Sequence, residues 1–316
     1  MDKRIALRDV LLQDIYTLMK KDKKIFFLTA DFGSPVIDKI KIDYPERFLN
    51  VGIAEQNLIN IACGLGLEGF KVVCYAIAPF ITMRCYEQIR VNLALLSTVR
   101  KINVNLIGVG AGYSYSISGP THQCFEDLSI INTLPGVDIF SPSDENTTRA
   151  IPKYLFNKNG ITYTRLDAQP ISNLLENPSY NHRDGYRIVN AHNKYIIFST
   201  GYMTHIAKKV VENLDNQYQL KVGFIDFFNL RNFNKKRLLD HIKKTEKIFT
   251  IEEAFINKAG FDSIITELLN NSNLNIVSKN IGIKNNYTFN IGTRDEIHKK
   301  LKIDAKSICK YIKGLI

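Results

Sequence analysis

Apolar side chains in the first half of the chain alternate between helical and strand-like patterns. Residues 5–20 carry apolar side chains at helical spacing, and the continuous apolar run at 24–30 that follows has the length of a buried strand. The same alternation continues with strand patterns at 48–51, 71–75, 104–109, 137–140 and 160–165 and helical patterns at 55–68 and 80–97. Strands that alternate with helices predict a parallel sheet covered on both faces.

A polar, turn-rich stretch at 168–185 interrupts this pattern, and a second alternating unit follows it. Its predicted strands are 195–199, 221–225 and 247–251, with helices near 204–214 and 234–243. We therefore predict an α/β fold of two doubly wound domains, the second smaller than the first. We place the first domain at 1–170, the linker at 171–185 and the second domain at 186–316.

The composition is that of a globular protein, with 45% hydrophobic and 23% charged residues among 316. The sequence has no run of about 18 apolar residues, so it predicts no transmembrane helix and no membrane partner. Residues 1–9 carry charges of both signs and lead directly into the first helical pattern, unlike a signal peptide. These features predict a cytoplasmic protein.

The formal net charge is +11, but the lysines and arginines are dispersed in short groups near predicted helix ends. That distribution favours solvated surfaces, a small anionic substrate or an acidic partner subunit over nucleic acid. The five cysteines are widely spaced and form no Cys-x-x-Cys pair, so they predict core thiols and neither disulfides nor a metal site.

The most informative stretch is 52–56, Gly-Ile-Ala-Glu-Gln, which places Glu55 where a strand gives way to a helix. By itself such a glutamate is most simply a helix N-terminal residue that interacts with the helix dipole. The motifs that follow, in order, are glycines at 64, 66 and 69, an aromatic and arginine stretch at 80–90, Gly-Pro-Thr-His-Gln at 119–123, and Glu126-Asp127.

This series, taken over the whole chain, resembles the pyrimidine-binding and C-terminal domains of transketolases and their relatives. The resemblance implies thiamine diphosphate as cofactor and ketol transfer between sugars or sugar phosphates as the reaction. It gives Glu55 the role of holding the N1′ atom of the cofactor's aminopyrimidine. It also implies that Phe80, Tyr86 and Tyr75 are candidates to pack on that ring, and that Asp31 lies in a loop facing the cofactor.

The same resemblance gives His122 a place at the substrate hydroxyl and oxyanion, where an imidazole can donate a hydrogen bond. Arg165 matches an arginine that contacts a sugar phosphate, although an ion pair at the surface would explain it equally well. Ser118 stands where transketolases carry an aspartate before Gly-Pro-Thr-His, so we expect an unusual or modified sugar. Tyr113 and Tyr115 are candidates to line the acceptor channel.

The diphosphate-binding half of the family's cofactor site carries Gly-Asp-Gly and a later Asn that hold Mg²⁺, and this sequence has no Gly-Asp-Gly. There is no room for such a domain before residue 25. We therefore expect a separate N-terminal transketolase subunit to carry the diphosphate half and to hold Mg²⁺, in an α2β2 assembly.

Three other readings stay open at this point. The beta subunit of a 2-oxo acid dehydrogenase shares this pair of domains and also lacks the diphosphate motif. Deoxyxylulose-phosphate synthases run similar chemistry and match Arg84 in the 80–90 stretch. A catalytically silent subunit would keep the fold without the activity. The donor, the acceptor and any need for phosphate cannot be deduced from these residues.

Overall fold

The computed structural model describes residues 4–176 and 179–316. Residues 1–3 of the predicted N-terminal segment and residues 177–178 of the predicted linker lie outside the described residues. The helices are α1 Leu7–Lys21, α2 Pro35–Asp43, α3 Glu55–Leu67, α4 Tyr86–Gln88, α5 Asp127–Asn132, α6 Glu145–Thr148, α7 Pro152–Leu155, α8 Met203–Tyr218, α9 Lys235–Ile242, α10 Phe261–Asn270, α11 Arg294–Leu301 and α12 Ala305–Lys313. The strands are β1 Ile25–Thr29, β2 Phe48–Asn50, β3 Lys71–Ile77, β4 Asn103–Val109, β5 Val137–Phe140, β6 Gly160–Leu166, β7 Tyr186–Asn190, β8 Tyr195–Thr200, β9 Gly223–Phe227, β10 Lys247–Phe255 and β11 Val277–Ile283.

The first sheet has six parallel strands in the order β2-β1-β3-β4-β6-β5. Successive side chains of a strand point to opposite faces, and both faces are buried here. Phe27 of β1 lies in a core with Leu11 of α1, whereas the next residue, Leu28, lies in a core with Leu58 of α3. Helices therefore cover both faces, and the predicted doubly wound α/β fold is confirmed.

The second sheet has five strands in the order β11-β10-β8-β9-β7, and β7 runs antiparallel to β9. Ile197 of β8 packs on the side of α8, and Phe198 packs on the side of α10. The sequence patterns missed the two edge strands β7 and β11. In β11 the side chains from Val277 to Asn280 are exposed or half-buried, because an edge strand is covered less completely, so its apolar pattern is weak.

One predicted helix, 80–97, is not regular. It is built from a π-helical turn at Phe80–Arg84, the short α4, a second π-helical stretch at Ile89–Leu95 and a 3-10 turn at Leu96–Thr98. π-helical turns in longer helices often occur at functional sites, because the wider turn changes the direction of the side chains. The first of these turns carries Phe80 and Arg84.

The two sheets are joined at the carboxyl ends of their strands. Ser141, directly after β5, donates its N–H to the carbonyl of Phe228 after β9 and accepts the N–H of Gly201 after β8. Arg187 of β7 spans the junction: its Nε lies 2.9 Å from Asp226 of β9 and its Nη2 lies 2.8 Å from Asp144, which follows β5. Local sequence patterns cannot reveal such a contact, because its residues are far apart in the chain. The domain limits of 1–170 and 186–316 stay a prediction.

Replacing Arg187 with methionine should lower the free energy of unfolding by about 3–5 kcal/mol, because two buried carboxylates would lose their common cation. Urea denaturation followed by far-ultraviolet circular dichroism measures the loss. The control is Arg90→Met, which removes an exposed arginine paired with Glu87 and should leave the midpoint unchanged. Equal midpoints for wild type and Arg187→Met would show that the buried cluster does not hold the two sheets together.

Candidate active site

The carboxyl ends of the first sheet bring the predicted site residues to one edge. Asp31 follows β1, Glu55 follows β2 at the start of α3, and Phe80 follows β3. The loop 110–124, which carries Ser118 and His122, follows β4. In parallel α/β sheets this edge is where ligands bind, because every connection from a strand to its helix opens there.

Glu55 is the first residue of α3, and its side chain is 2% exposed. Burial this deep is uncommon for a carboxyl group unless it has a partner. Here the partner is Arg84 on the π-helical turn, whose Nη1 lies 2.6 Å from Oε2. Within the described residues, no hydrogen bond reaches the other oxygen, Oε1. Glu55 therefore keeps one oxygen available to a ligand while Arg84 holds the other.

Arg84 links Glu55 to a small aromatic group. The Cζ atom of Arg84 lies over the ring of Phe80, 4.4 Å from its centroid, in a cation–π contact. The imidazole of His122 meets the same Phe80 ring edge-on, with centroids 5.4 Å apart. Glu55, Arg84, Phe80 and His122 thus form one continuous row of side chains drawn from three separate connections.

Asp31 lies in the left-handed region of backbone conformation, with φ of 49°, which is unusual for an aspartate. Asn50 at the end of β2 stabilises it by accepting the N–H of Asp31 at 3.0 Å, and the same oxygen accepts the N–H of Gly52. The Asp31 side chain is exposed. The structure therefore places Asp31 at the carboxyl edge beside the entrance to α3, with Oδ1 accepting a 3.4 Å hydrogen bond from Nδ2 of Asn50.

The loop 110–124 presents three of the candidate residues. Ser118 is exposed and ends a turn in which its N–H bonds the carbonyl of Tyr115. His122 is half-buried, and its Nδ1 lies 3.0 Å from the hydroxyl of Thr121. The ring of Tyr115 approaches His122 edge-on, with centroids 6.4 Å apart. Tyr115 therefore borders the same space as His122, and its place in an acceptor channel stays a prediction.

Arg165, the residue with a predicted phosphate contact, is held by an ion pair in this structure. Arg165 is buried, and Nε and Nη2 lie 2.8 and 3.1 Å from the two carboxyl oxygens of Asp127. Asp127 also accepts the hydroxyl of Tyr163 at 2.7 Å. The ion pair that the sequence left open as an alternative is therefore present, although it is buried and not at the surface. The phosphate contact stays a prediction.

The structure also shows the surroundings of three further candidate tyrosines. Tyr113 is fully buried with its hydroxyl bonded to Thr288 of the second domain, so it does not line an acceptor channel. Tyr75 is fully buried and stacks on Phe32 with centroids 5.2 Å apart, so it is no platform for a ring. Tyr86 is held by a 2.7 Å hydrogen bond between its hydroxyl and Thr133 after α5.

Sequence reasoning overlooked Arg8. It lies in the first turn of α1, close to Tyr75 and Tyr115. Burial raises the pKa of both phenols, and the positive charge of Arg8 partly opposes that rise. Its Nε is buried and lies 3.4 Å from Oδ1 of Asp9, an ion pair without hydrogen-bond geometry. A lone arginine in an amphipathic helix gives no signal in sequence, since most such arginines are solvated.

The family follows from comparison with known proteins. The family model of the transketolase pyrimidine binding domain matches residues 3–169, and that of the transketolase C-terminal domain matches 185–308. The chain belongs to the transketolase family. The predicted resemblance is therefore confirmed.

Relatives of similar length include single subunits of transketolases. One of the subunits of apulose-4-phosphate transketolase from Actinobacillus succinogenes is 28% identical, with 96% of each chain covered. Human transketolase is 25% identical over 99% of this chain but only 49% of its own length. A solved structure described as an inactive β4 tetramer of a split-gene transketolase is 25% identical, with a TM-score of 0.85 and 98% of each chain covered.

Two features are missing from the part of the chain that the structure describes. No described helix is long and apolar enough to cross a membrane. The described ranges also contain no group of three or more His, Cys, Asp or Glu side chains arranged to hold a metal ion.

The pair of Glu55 and Arg84 can be tested in the chain alone. We expect Glu55→Gln and Arg84→Gln each to lower the free energy of unfolding, because each leaves one charge without its partner. The double variant should lose about 1 kcal/mol less than the sum of the two, because it leaves no unpaired charge. Urea titrations of the four proteins give the coupling. A parallel cycle on Glu87 and Arg90, exposed in the same helical segment, should show no measurable coupling. Additive effects at Glu55 and Arg84 would mean that the contact contributes nothing.

Proposed function

We propose that this chain is the pyrimidine-binding subunit of a two-chain, thiamine-diphosphate-dependent transketolase that transfers a two-carbon ketol unit between sugars. The observation that carries the proposal is the buried Glu55, at the start of α3, in one row with Phe80 and His122. Family membership supports the reaction class, and the match in length to relatives that are single transketolase subunits supports the division into two chains.

The residues at the carboxyl edge fit the pyrimidine half of the cofactor. A planar, nitrogen-containing ring needs a buried hydrogen-bonding group and an apolar surface, and Glu55 and Phe80 supply these side by side. When bound, thiamine diphosphate supplies the electron sink for breaking and forming the carbon–carbon bond beside the ketone. Glu55 would hold N1′ of the ring through its carboxyl group, and Asp31 would border the cofactor from the loop after β1.

His122 would act on the substrate and not on the cofactor. Its ring lies against Phe80 and Tyr115 at the open edge of the sheet, so it can donate a hydrogen bond to a substrate oxygen that gains negative charge. The contact with Thr121 Oγ1 occupies Nδ1, which leaves Nε2 for the substrate. The task of this chain is therefore to position the ring of the cofactor and the reacting oxygen of the sugar.

The other half of the site must come from a second protein if this proposal holds. Diphosphate and Mg²⁺ need hard oxygen ligands, and the Gly-Asp-Gly motif that supplies them in the family is not present in this sequence. A separate N-terminal subunit would carry it, and an α2β2 assembly would contain two complete sites.

The substrate we propose is a modified, anionic sugar. Ser118 replaces the aspartate with which transketolases read a sugar hydroxyl, and Arg8 places a cation near Tyr115. Relatives are named for an apulose phosphate and for a sulfo-sugar, 6-deoxy-6-sulfo-D-fructose, both of which carry an anionic group. An anionic sugar with an altered hydroxyl pattern fits both features of this chain.

Purification of the tagged chain from its native cells should yield a stoichiometric partner that carries Gly-Asp-Gly with a downstream Asn, identified by mass spectrometry. The complex, supplied with thiamine diphosphate and Mg²⁺, should transfer ketol units from a sugar-phosphate donor. Glu55→Gln in this chain should lower kcat about 10²-fold or more, because the carboxyl that shares a proton with the cofactor is gone.

The other outcomes point elsewhere. Co-purification with a lipoyl-bearing complex that decarboxylates a 2-oxo acid would favour the dehydrogenase beta subunit. An active complex whose rate is unchanged by Glu55→Gln would show that this chain is a silent subunit.

Ser118→Asp should shift the donor preference of the complex toward ordinary, fully hydroxylated sugar phosphates. A carboxylate can accept a hydrogen bond from a sugar hydroxyl, and a site that pairs with a hydroxyl discriminates strongly against substrates that lack it. We expect the ratio of kcat/KM for a hydroxylated over a deoxygenated donor to rise about ten-fold.

Ser118→Asn serves as the matched control, since it has the same size as aspartate but no charge. An equal shift in both variants would show that the negative charge is not what reads the sugar, because the asparagine amide can also bond a hydroxyl. An unchanged ratio in Ser118→Asp would show that residue 118 does not read the sugar.

A further inference from the structure

The loop that carries His122 is closed at its base. Gly112 and Cys124 exchange both backbone hydrogen bonds, at 2.8 and 3.1 Å, and form an isolated antiparallel bridge. The residues between them, including Ser118 and His122, have no strand or helix of their own in the described structure. The position of His122 therefore depends on what holds this bridge.

The second domain holds it from both sides. Glu253, near the end of β10, accepts the N–H of Tyr113 at 2.9 Å. Two residues further along β10, Phe255 donates its N–H to the carbonyl of Phe125 at 3.2 Å. The rings of Tyr113 and Phe125 lie against each other, with centroids 4.6 Å apart, and Phe125 also meets the ring of Phe255.

Glu253 is itself fixed by buried charges. Its side chain pairs with the guanidinium of Arg294 at the start of α11, whose Nε lies 2.9 Å from Oε1, and with His298 one turn later. Arg294 also reaches back to the first domain, where Nη1 lies 2.6 Å from Asp167 after β6. Its guanidinium lies flat on Tyr202, 3.4 Å from the ring centroid. Glu253 therefore cannot change rotamer without breaking several buried contacts.

We infer that Glu253, held by Arg294, is a positioning residue that sets the His122 loop from the C-terminal domain. The inference about catalysis rests on the proposed function, whereas the inference about the loop does not. The C-terminal sheet supplies no residue to the row at Glu55. Through Glu253 it nevertheless takes a direct part in placing His122.

Gly112 shows how closely the two domains fit at this point. Its φ is +56°, and a Cβ built on it would lie 1.9 Å from Oε2 of Glu253. Any side chain at position 112 must therefore displace Glu253 or the loop. Gly136, before β5, also has a positive φ, +75°, but open space around its missing Cβ. Alanine at either position strains the backbone, but only alanine at 112 would also clash with Glu253. Gly136 therefore serves as the control for backbone strain alone.

The test compares Gly112→Ala with Gly136→Ala by hydrogen–deuterium exchange of the full-length chain. We expect the amides of 113–124 to exchange about ten-fold faster in Gly112→Ala than in wild type, because the Tyr113 N–H loses its acceptor. In Gly136→Ala these amides should keep wild-type rates. Glu253→Asp, which keeps the charge but shortens the reach to Tyr113, should reproduce the pattern of Gly112→Ala.

In the complex with its partner, Gly112→Ala should lower kcat/KM for the sugar donor about ten-fold. The concentration of thiamine diphosphate that gives half-maximal activity should stay unchanged, since Glu55 lies on another element. Gly136→Ala should keep wild-type activity. Wild-type exchange at 113–124 in both Gly112→Ala and Glu253→Asp would overturn the inference, as would acceleration spread evenly over the chain. A wild-type complex without ketol transfer would defeat the proposed function, while the exchange result would still decide the role of Glu253.

Discussion

The structure depends on buried ion pairs that hold the carboxyl ends of two sheets against each other. Arg187 joins Asp144 and Asp226, and Arg294 joins Asp167 and Glu253, so each arginine spans both domains. Buried pairs add little net stability compared with apolar packing, but leaving one partner alone is costly. The arrangement therefore penalises every other orientation of the two sheets. That penalty makes the edge of the first sheet a defined surface, and the site is built on that surface.

Under the proposed function, the site on this edge is half of a cofactor site. Glu55, Phe80 and His122 can hold a ring and a substrate oxygen, but the described residues include no cluster that could bind the metal of a diphosphate. The division follows chemistry. Recognition of the ring needs one buried carboxyl and an apolar face, which one sheet edge supplies, whereas a diphosphate with Mg²⁺ needs several hard oxygens from another fold. A boundary between two chains at this point separates two kinds of recognition and leaves each intact.

The sequence was most informative where local pattern and chemistry coincide. Nine of the strands were predicted from their apolar runs, because most of them are buried parallel strands and such strands are continuously hydrophobic. The Gly-Ile-Ala-Glu-Gln motif pointed to Glu55 as a candidate site residue. The partner of Glu55 was harder to identify, since Arg84 reaches it only through a π-helical turn that no periodicity reveals. The sequence left two roles open for Arg165, because an arginine at a strand end has the same local pattern whether it meets a phosphate or a buried Asp127. Contacts between distant segments decided every such case.

Arg84 explains how the buried carboxyl group of Glu55 is accommodated in this chain. A lone buried carboxylate is strongly unfavourable, so the chain needs a cation beside Glu55 until a ligand arrives. Arg84 is suited to this task because its side chain is 40% exposed and rests on Phe80, which lets it retreat toward solvent while keeping its cation–π contact. A fully buried arginine, such as Arg187, would have no such route. Arg84 can thus shift beside an arriving ring, while Oε1 of Glu55, which no hydrogen bond reaches in the described residues, is the oxygen available to the ligand.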